Sequence, residues 1–394
     1  MATHIGIGFS QEQNTLHAAR EAALQAKAQI KQQTIDLAIV FTTTHYSPLE
    51  TLKTVSQTLN QAKILGCSTA GIVLAQGIYL RGVAVAVISS QEIQFGIGYT
   101  DNLTDSNAQA AGTELGKTMI GNLGSHQRQA LLFFSDGLLQ NNSDMVKGIQ
   151  QIFGNVFPLI GAGSSDNFEF KETFQYFKDK SLKRSAVSVL IGGQIRIGLG
   201  SHHGWKPLGK PRLANKTNHN VLKLIDNKKA SSIYEEYLKL SLKELQSDVK
   251  KTVLRYPLGI YLEHEKEYLL RPVVEIADDG SLTCQGEIPE NSEVHIMISN
   301  KEFCRQATRE AIRQVQNALL GKNPQMIMIF ESFLRQKILG RDAFKEIEFI
   351  KDRLGSMTAI IGMYSYGETA PLGSLNHSGN TYLQHGTITI LGIG

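Results

Sequence analysis

The sequence predicts a mixed α/β (α+β) fold built from three related βαββ units with mixed sheets. Three observations carry this. Apolar, strand-like runs at 37–41 (LAIVF), 130–134 (ALLFF) and 326–330 (MIMIF) all end in Phe. Each leads through polar residues into a helix-like stretch, and a Gly closes a second apolar run 25, 27 or 32 residues after the Phe. A third apolar run follows at 83–88, 186–191 and 387–391. Repeats are read first because they decide the fold. A unit of about 60 residues with long spacers is too large and irregular for a solenoid, so the three units are expected within one compact protein.

The polar residues that close the second run are Gly66-Cys67-Ser68-Thr69-Ala70-Gly71, Gly161-Ala162-Gly163-Ser164-Ser165-Asp166 and Gly362-Met363-Tyr364-Ser365-Tyr366-Gly367-Glu368. The glycines are expected at equivalent strand ends. Ligands of open α/β sheets sit beside the carboxyl ends of strands, so three such loops around a common centre predict one shared cavity.

Two units fall in an N-terminal part, residues 1–215, and one in a C-terminal part, residues 216–394. Between the first two, 93–99 reads as a strand and 105–120 as a helix with an Asp/Ser start. Strands are expected at 173–177 and 195–199. The Gly/Pro/Lys-rich run Gly200-Ser201-His202-His203-Gly204-Trp205-Lys206-Pro207-Leu208-Gly209 marks the end of the first part. In the second part, 221–225 reads as a strand, Asp226-Asn227 as a turn and 230–245 as an amphipathic helix. Asp278-Asp279-Gly280 is a strong hairpin signal between strands at 272–276 and 281–284. Helices are expected at 302–319 and 342–354 from their apolar period.

With 394 residues, 42% hydrophobic and 19% charged, the chain is globular rather than disordered. The net charge is +4, and the basic excess lies at 206–251, with 11 Lys or Arg against 5 Asp or Glu. Basic residues there are not interleaved with aromatics, so no nucleic-acid partner is expected. Cys67, Cys284 and Cys304 form no CxxC pair. This fits a reducing cytoplasm and argues against a disulfide framework or a cysteine zinc site. The N-terminus lacks the basic start and apolar run of a signal peptide. No apolar segment reaches the roughly 20 residues that would insert in a membrane.

Gly112 to Thr118 is one residue short of a phosphate loop and lies within a helical period. Gly161-Ala162-Gly163 has Asp166 where a dinucleotide fingerprint needs its third Gly. No cofactor and no metal are therefore expected. Adjacent His202 and His203 point to opposite faces of a strand. Cys67 at a strand end is a candidate nucleophile if a histidine reaches it, but Ala162 and Met363 occupy the same place in the other units, which favours packing. In a continuous strand Tyr364, Tyr366 and Glu368 share one face. Two rings and a carboxylate suit an ammonium group. The alternative is a carboxylate tied to a nearby cation, with tyrosines packed on the sheet. Arg271 and Arg335 are candidate anchors for a ligand carboxylate or structural ties, and His377 lies in a loop that could close the site. The candidate ligand-binding set is Cys67, Ser68, Thr69, Ser164, Ser165, Asp166, Arg271, Arg335, Tyr364, Tyr366, Glu368 and His377.

On these residues the chain resembles the FIST family of sensory domains. Gly66 to Gly71 resembles the signature of its N-terminal part. Gly204 to Gly209, Asp226 and the stretch 230–234 resemble the junction. Gly362 to Glu368, with His377 and Thr381, resembles the C-terminal signature. The resemblance spans nearly the whole chain from Leu37. It implies signal transduction by binding a small ligand, with amino acids the usual class, and a downstream signalling partner. Two departures stand out. Glu331-Ser332-Phe333-Leu334-Arg335 replaces a Ser-Cys-x-x-Arg type stretch, so Ser332 stands where the family often has Cys. Ile72 follows Gly71, where an acidic residue is usual. The expected protein is a cytoplasmic, non-catalytic sensor. The alternative is a hydrolase or transferase using Cys67 or a unit-loop Ser as nucleophile.

Overall fold

The computed structural model describes residues 3–30, 34–372 and 380–394. The first unit runs β1 (His4–Ser10), α1 (Thr15–Ala28), β2 (Leu37–Thr43), α2 (Pro48–Thr58), β3 (Ile64–Thr69), a hairpin β4 (Ile72–Leu74) and β5 (Gly77–Tyr79), then β6 (Val83–Ser89). The second repeats the order with β7 (Ile93–Thr100), α3 (Ala108–Leu123), β8 (Arg128–Asp136), α4 (Asn142–Phe153), β9 (Leu159–Ser164), a hairpin β10 (Gln175–Phe177) and β11 (Lys180–Leu182), then β12 (Ala186–Gly193). The stretches 93–99 and 105–120, read from sequence as lying between units, are thus the opening strand and helix of the second.

The third unit opens with β13 (Ile197–His203) and is interrupted by residues 205–299. This insert holds β14 (Trp205–Asn218), β15 (Val221–Ile225), β16 (Lys228–Lys229), α5 (Ser232–Leu238), α6 (Leu242–Ser247), β17 (Leu258–Leu262), β18 (Glu267–Arg271), β19 (Val273–Ile276), β20 (Leu282–Cys284) and β21 (Glu293–Ser299), whose strands form one eight-stranded sheet. The division expected near residue 215 falls inside β14. The expected helix 230–245 is two helices. Lys239 turns left-handed at φ 58°, and Ser241 with Glu244 forms a capping box that starts the second. The unit then resumes with α7 (Lys301–Ala318), β22 (Met326–Ser332), α8 (Phe333–Leu339), α9 (Ala343–Leu354), β23 (Ala359–Ser365), a hairpin β24 (Glu368–Pro371) and β25 (Thr381–Gln384), and β26 (Thr387–Ile393).

Strand order and sense repeat in all three: β1-β6-β2-β3, β7-β12-β8-β9 and β13-β26-β22-β23. In each, the last two strands are parallel, joined by a helical crossover, and the other pairs are antiparallel. A sixfold strand count is reached by exchange. The hairpin β4–β5 extends the third unit's sheet beside β23, β10–β11 extends the first beside β3, and β24–β25 extends the second beside β9.

Side chains alternate across each first parallel strand as a two-sided burial demands. Leu37, Ile39 and Phe41, then Leu132 and Phe134, then Met328 and Phe330 face one central core. Val40, Phe133 and Ile329 face outward onto the helices of their own units. Gly66, Gly161 and Gly362 lie inside strands rather than at their ends. Each stands opposite Val40, Phe133 or Ile329, and a Cβ there would come within 1.9, 2.7 or 2.4 Å of that neighbour's carbonyl oxygen.

Candidate functional site

The three units meet where the expected polar loops begin. The ring of Phe134 lies 5.4 Å from that of Phe41 and 5.8 Å from that of Phe330. Cys67, Ala162 and Met363 pack beside them, with the Cys67 thiol 3.4 Å from the Met363 sulfur. Above this layer each strand end is sealed by an exchanged hairpin. The Ser68, Gly163 and Tyr364 N–H groups donate to the carbonyls of Phe174 (2.9 Å), Gly367 (2.8 Å) and Gly71 (2.9 Å), the residues that precede the three hairpins. The strand ends thus converge, but they enclose apolar packing and backbone hydrogen bonds rather than one common cavity. Burial pushes the Cys67 thiol well above its ordinary range, away from the thiolate a nucleophile needs.

Four of the predicted site residues, Ser68, Thr69, Ser164 and Ser165, serve this seal with their side chains. Ser68 Oγ donates to the Ser165 carbonyl (3.1 Å) and accepts from the Phe174 N–H (3.0 Å). Thr69 Oγ1 donates towards the carbonyls of Gly71 and Tyr364, both at 2.8 Å. Ser164 Oγ donates to the Ser135 carbonyl (2.9 Å), and Ser165 Oγ to that of Tyr364 (2.5 Å). Arg335 is fully buried and forks onto Glu346 (2.7 and 2.9 Å), with Glu331 at 3.2 Å and Thr308 at 2.9 Å. Arg271 is spent on the carbonyls of Glu287, Leu270 and Leu383. His377 lies outside the described residues.

The expected face of Tyr364, Tyr366 and Glu368 does not form. β23 ends at Ser365, Gly367 turns at φ 139°, and Glu368 starts a strand of another sheet. Tyr364 packs with the helices behind the third sheet. Glu368 is buried, accepting from Ser365 Oγ (2.5 Å) and Thr387 Oγ1 (2.8 Å), and burial pushes its carboxyl up to about 8. Tyr364 borders a cleft beside β5, and Tyr366 turns towards a different cavity.

That cavity, of about 230 Å³, lies between the end of β8, the segment after β25 and the insert. Leu138, Val273, Val274 and Leu383 give it apolar walls, and Phe170 and Tyr366 an aromatic one. Three polar atoms in its lining are buried without a hydrogen-bond partner among the described residues: Asn142 Oδ1, Gln285 Oε1 and His385 Nε2. Buried polar atoms are normally paired, so three in one cavity point to a ligand. Asn142 commits its amide N–H groups to the carbonyls of Asp136 (2.7 Å) and Leu139 (3.3 Å), which leaves its oxygen as the free acceptor. Burial, and then the Arg271 charge, push His385 down to about 3, so its imidazole is neutral. Lys250 is the cation of the lining, its ammonium 4.9 Å from the Phe170 ring centre.

The aromatic wall is held by Asp166. Its carboxylate accepts the N–H groups of Glu169, Phe170, Lys171 and Glu172, at 3.0, 3.0, 2.8 and 3.3 Å, and the hydroxyl of Tyr366. Burial alone would raise this carboxyl; the Tyr366 and backbone donors outweigh it and lower it. The loop is tight enough to hold Phe168 and Phe170 left-handed, at φ 67° and 56°, a conformation that surrounding structure must enforce. Phe170 then stacks on Tyr366, ring centres 4.5 Å apart. Of the lining, sequence reasoning found Tyr366 and missed Asn142, Gln285, His385 and Lys250.

Among the described residues no group of three or more His, Cys, Asp or Glu is placed to hold a metal ion, and no helix is long and apolar enough to cross a membrane. A concave, mostly apolar cavity with a few convergent polar groups marks a small-ligand-binding protein. The FIST N domain model matches residues 36–228 and the FIST C domain model residues 230–371, and the chain belongs to the FIST family. FIST domains are sensory domains for small ligands in signal transduction. No curated protein matches the chain. Among solved structures, a cyanuric acid hydrolase from A. caulinodans is similar at 10% identity and a TM-score of 0.27, over 49% of this chain and 70% of that one. At that level it carries no functional argument.

Proposed function

We propose that this protein is a cytoplasmic sensor that takes an amino acid or a close metabolite into the cavity beside Tyr366 and reports it to a downstream signalling protein. The observation that carries this reading is that Asn142, Gln285 and His385, each with a buried polar atom that has no partner among the described residues, line one cavity. The two amide oxygens suit an ammonium group, Lys250 suits a carboxylate, and the apolar walls suit a side chain. In this reading the two parts of the chain, meeting near residue 215, build the cavity jointly. The N-terminal part contributes Asn142 and the Asp166 loop, and the C-terminal part Gln285, Tyr366 and His385. The burial of Cys67 supports a binding role over the alternative of Cys67-based hydrolysis or transfer.

A thermal-shift screen with the twenty amino acids and their amine and keto-acid relatives tests this. A ligand at a hundred times its Kd adds about 2.7 kcal/mol to native stability. The expected result is a saturable rise in melting temperature that Gln285→Leu abolishes. Flat curves across the whole panel at millimolar concentration would sink the proposal.

A further inference from the structure

We propose a second binding site, for a small anion with a flat apolar body, in the cleft between α8, the Asp166 loop and the turn after α6. This cleft of about 290 Å³ is floored by Trp205, Phe168 and Phe333 and rimmed by Lys250, Arg255 and Lys337. Phe168 and Phe333 stand edge to face with ring centres 4.8 Å apart, and the Lys337 ammonium lies 3.8 Å from the Phe168 ring centre. Cations crowded over aromatic rings attract an anion whose body can join the stack.

The charge balance is one-sided. Among the described residues no carboxylate forms an ion pair with Lys250, Arg255 or Lys337, whereas Lys251, also on the rim, is paired with Asp248 at 2.9 Å. Burial, and then the Arg255 charge, lower the Lys337 ammonium, the direction expected of cations held together without a counter-ion. Trp205 is buried, and its indole N–H has no partner among the described residues. It adds a neutral donor to the three cations. An aryl carboxylate and an aryl phosphate share the chemistry this lining recognises, an anionic head on a planar ring.

The cleft is distinct from the amino-acid cavity, although Phe170, Lys250 and Leu254 border both. It gives the protein a second chemical input on the far side of the Phe170 wall. Trp205 is the chain's single tryptophan, so its fluorescence reports this site directly. The full-length protein is titrated with benzoate and with phenyl phosphate, and benzylamine and inorganic phosphate serve as controls. Equilibrium dialysis of the same probes gives a second readout.

The expected result is a saturable change in Trp205 emission with at least one aryl anion, the tighter of the two naming the head group. Lys337→Gln and Arg255→Gln should each weaken it about tenfold. Gln285→Leu should leave it intact, so this proposal and the amino-acid reading can fail separately. An equal response to benzylamine, full reproduction by inorganic phosphate, or indifference to both charge substitutions would overturn the site. So would the absence of saturable binding by fluorescence and dialysis together.

Discussion

Glu368 stands in register with Ala162, on a sheet that belongs to the neighbouring unit. Gln175 stands opposite Cys67 and Ile72 opposite Met363 in the same way, each as the first residue of an exchanged hairpin. One position of the repeat is thus filled by an amide, an aliphatic chain and a carboxyl group, all buried.

The carboxyl is therefore expected to be neutral at pH 7, held up to about 8 by burial. Its folded pKa is raised, so its contribution is complete below the unfolded value near 4.3 and lost as pH rises through 8. By pH 9 the loss amounts to about 5 kcal/mol. Glu368→Gln places in the third unit the amide already present at Gln175. Melting curves from pH 5 to pH 9 should fall for the parent protein and stay nearly flat for the variant. Parallel curves would mean that Glu368 is ionised in the fold.

Arg335 is predicted to be a structural tie. Burial, and then the neighbouring Glu346 carboxylate, push Glu331 well above the usual range, so Arg335 and Glu346 form the charged pair. Arg335→Met strands a buried carboxylate and should cost about 3–5 kcal/mol. Adding Glu346→Leu should recover part of that loss in urea titrations. Simple additivity of the two losses would show that the pair is not coupled.

The part of this architecture that was legible in the sequence is the part written in apolar rhythm. Runs such as 37–41 and 326–330 alternate between two buried faces, and their ends mark equivalent places. The opening strands carried a signal too. Gly6-Ile7-Gly8, Gly96-Ile97-Gly98 and Gly198-Leu199-Gly200 recur at the start of each unit. They recur because the first helix packs so close that a Cβ on Gly8 or Gly200 would lie 1.9 Å from a helix carbonyl oxygen. The hairpin exchange left no local trace, since a strand's pattern does not say whose sheet it joins. The Tyr364–Glu368 face failed because a period of two holds only while the strand continues, and Gly367 ends it. Asn142, Gln285 and His385 are far apart in sequence, and what makes them a site is burial without a partner, a property of the assembled fold.

Asp166→Asn should loosen the loop that carries Phe168 and Phe170. The amide cannot accept all the N–H groups that now converge on the carboxylate, and charge-assisted bonds are worth about 1.5–3 kcal/mol. Limited trypsin digestion should cut at Lys171 in the variant well before the parent. The folded pKa is lowered here, so the carboxylate's stabilisation is present above about pH 4 and lost as pH falls through its folded value. This is opposite in sign to Glu368. Unchanged digestion would move the loop's support elsewhere.

Cys67 should resist iodoacetamide at pH 8 in the native protein and react after unfolding. Its thiol is buried and held in the protonated form. Cys67→Ala installs the side chain found at Ala162 and should cost about 1 kcal/mol without changing ligand response. Native alkylation at the rate of a free thiol, read by mass spectrometry, would contradict the packing of the central layer.

The strands β4 and β5 leave the ribosome early, yet the edge they complete, β23, is made near the other end of the chain. At roughly 5–20 residues per second, the hairpin waits on the order of tens of seconds with one side of its backbone unpaired. The first sheet can close once β10 and β11 have emerged. The second and third must wait for β24 to β26. A nascent chain of this kind exposes open strand edges for much of its synthesis, which is the condition under which strands join the wrong neighbour. Its dependence on chaperones should therefore fall sharply once the last hairpin is released.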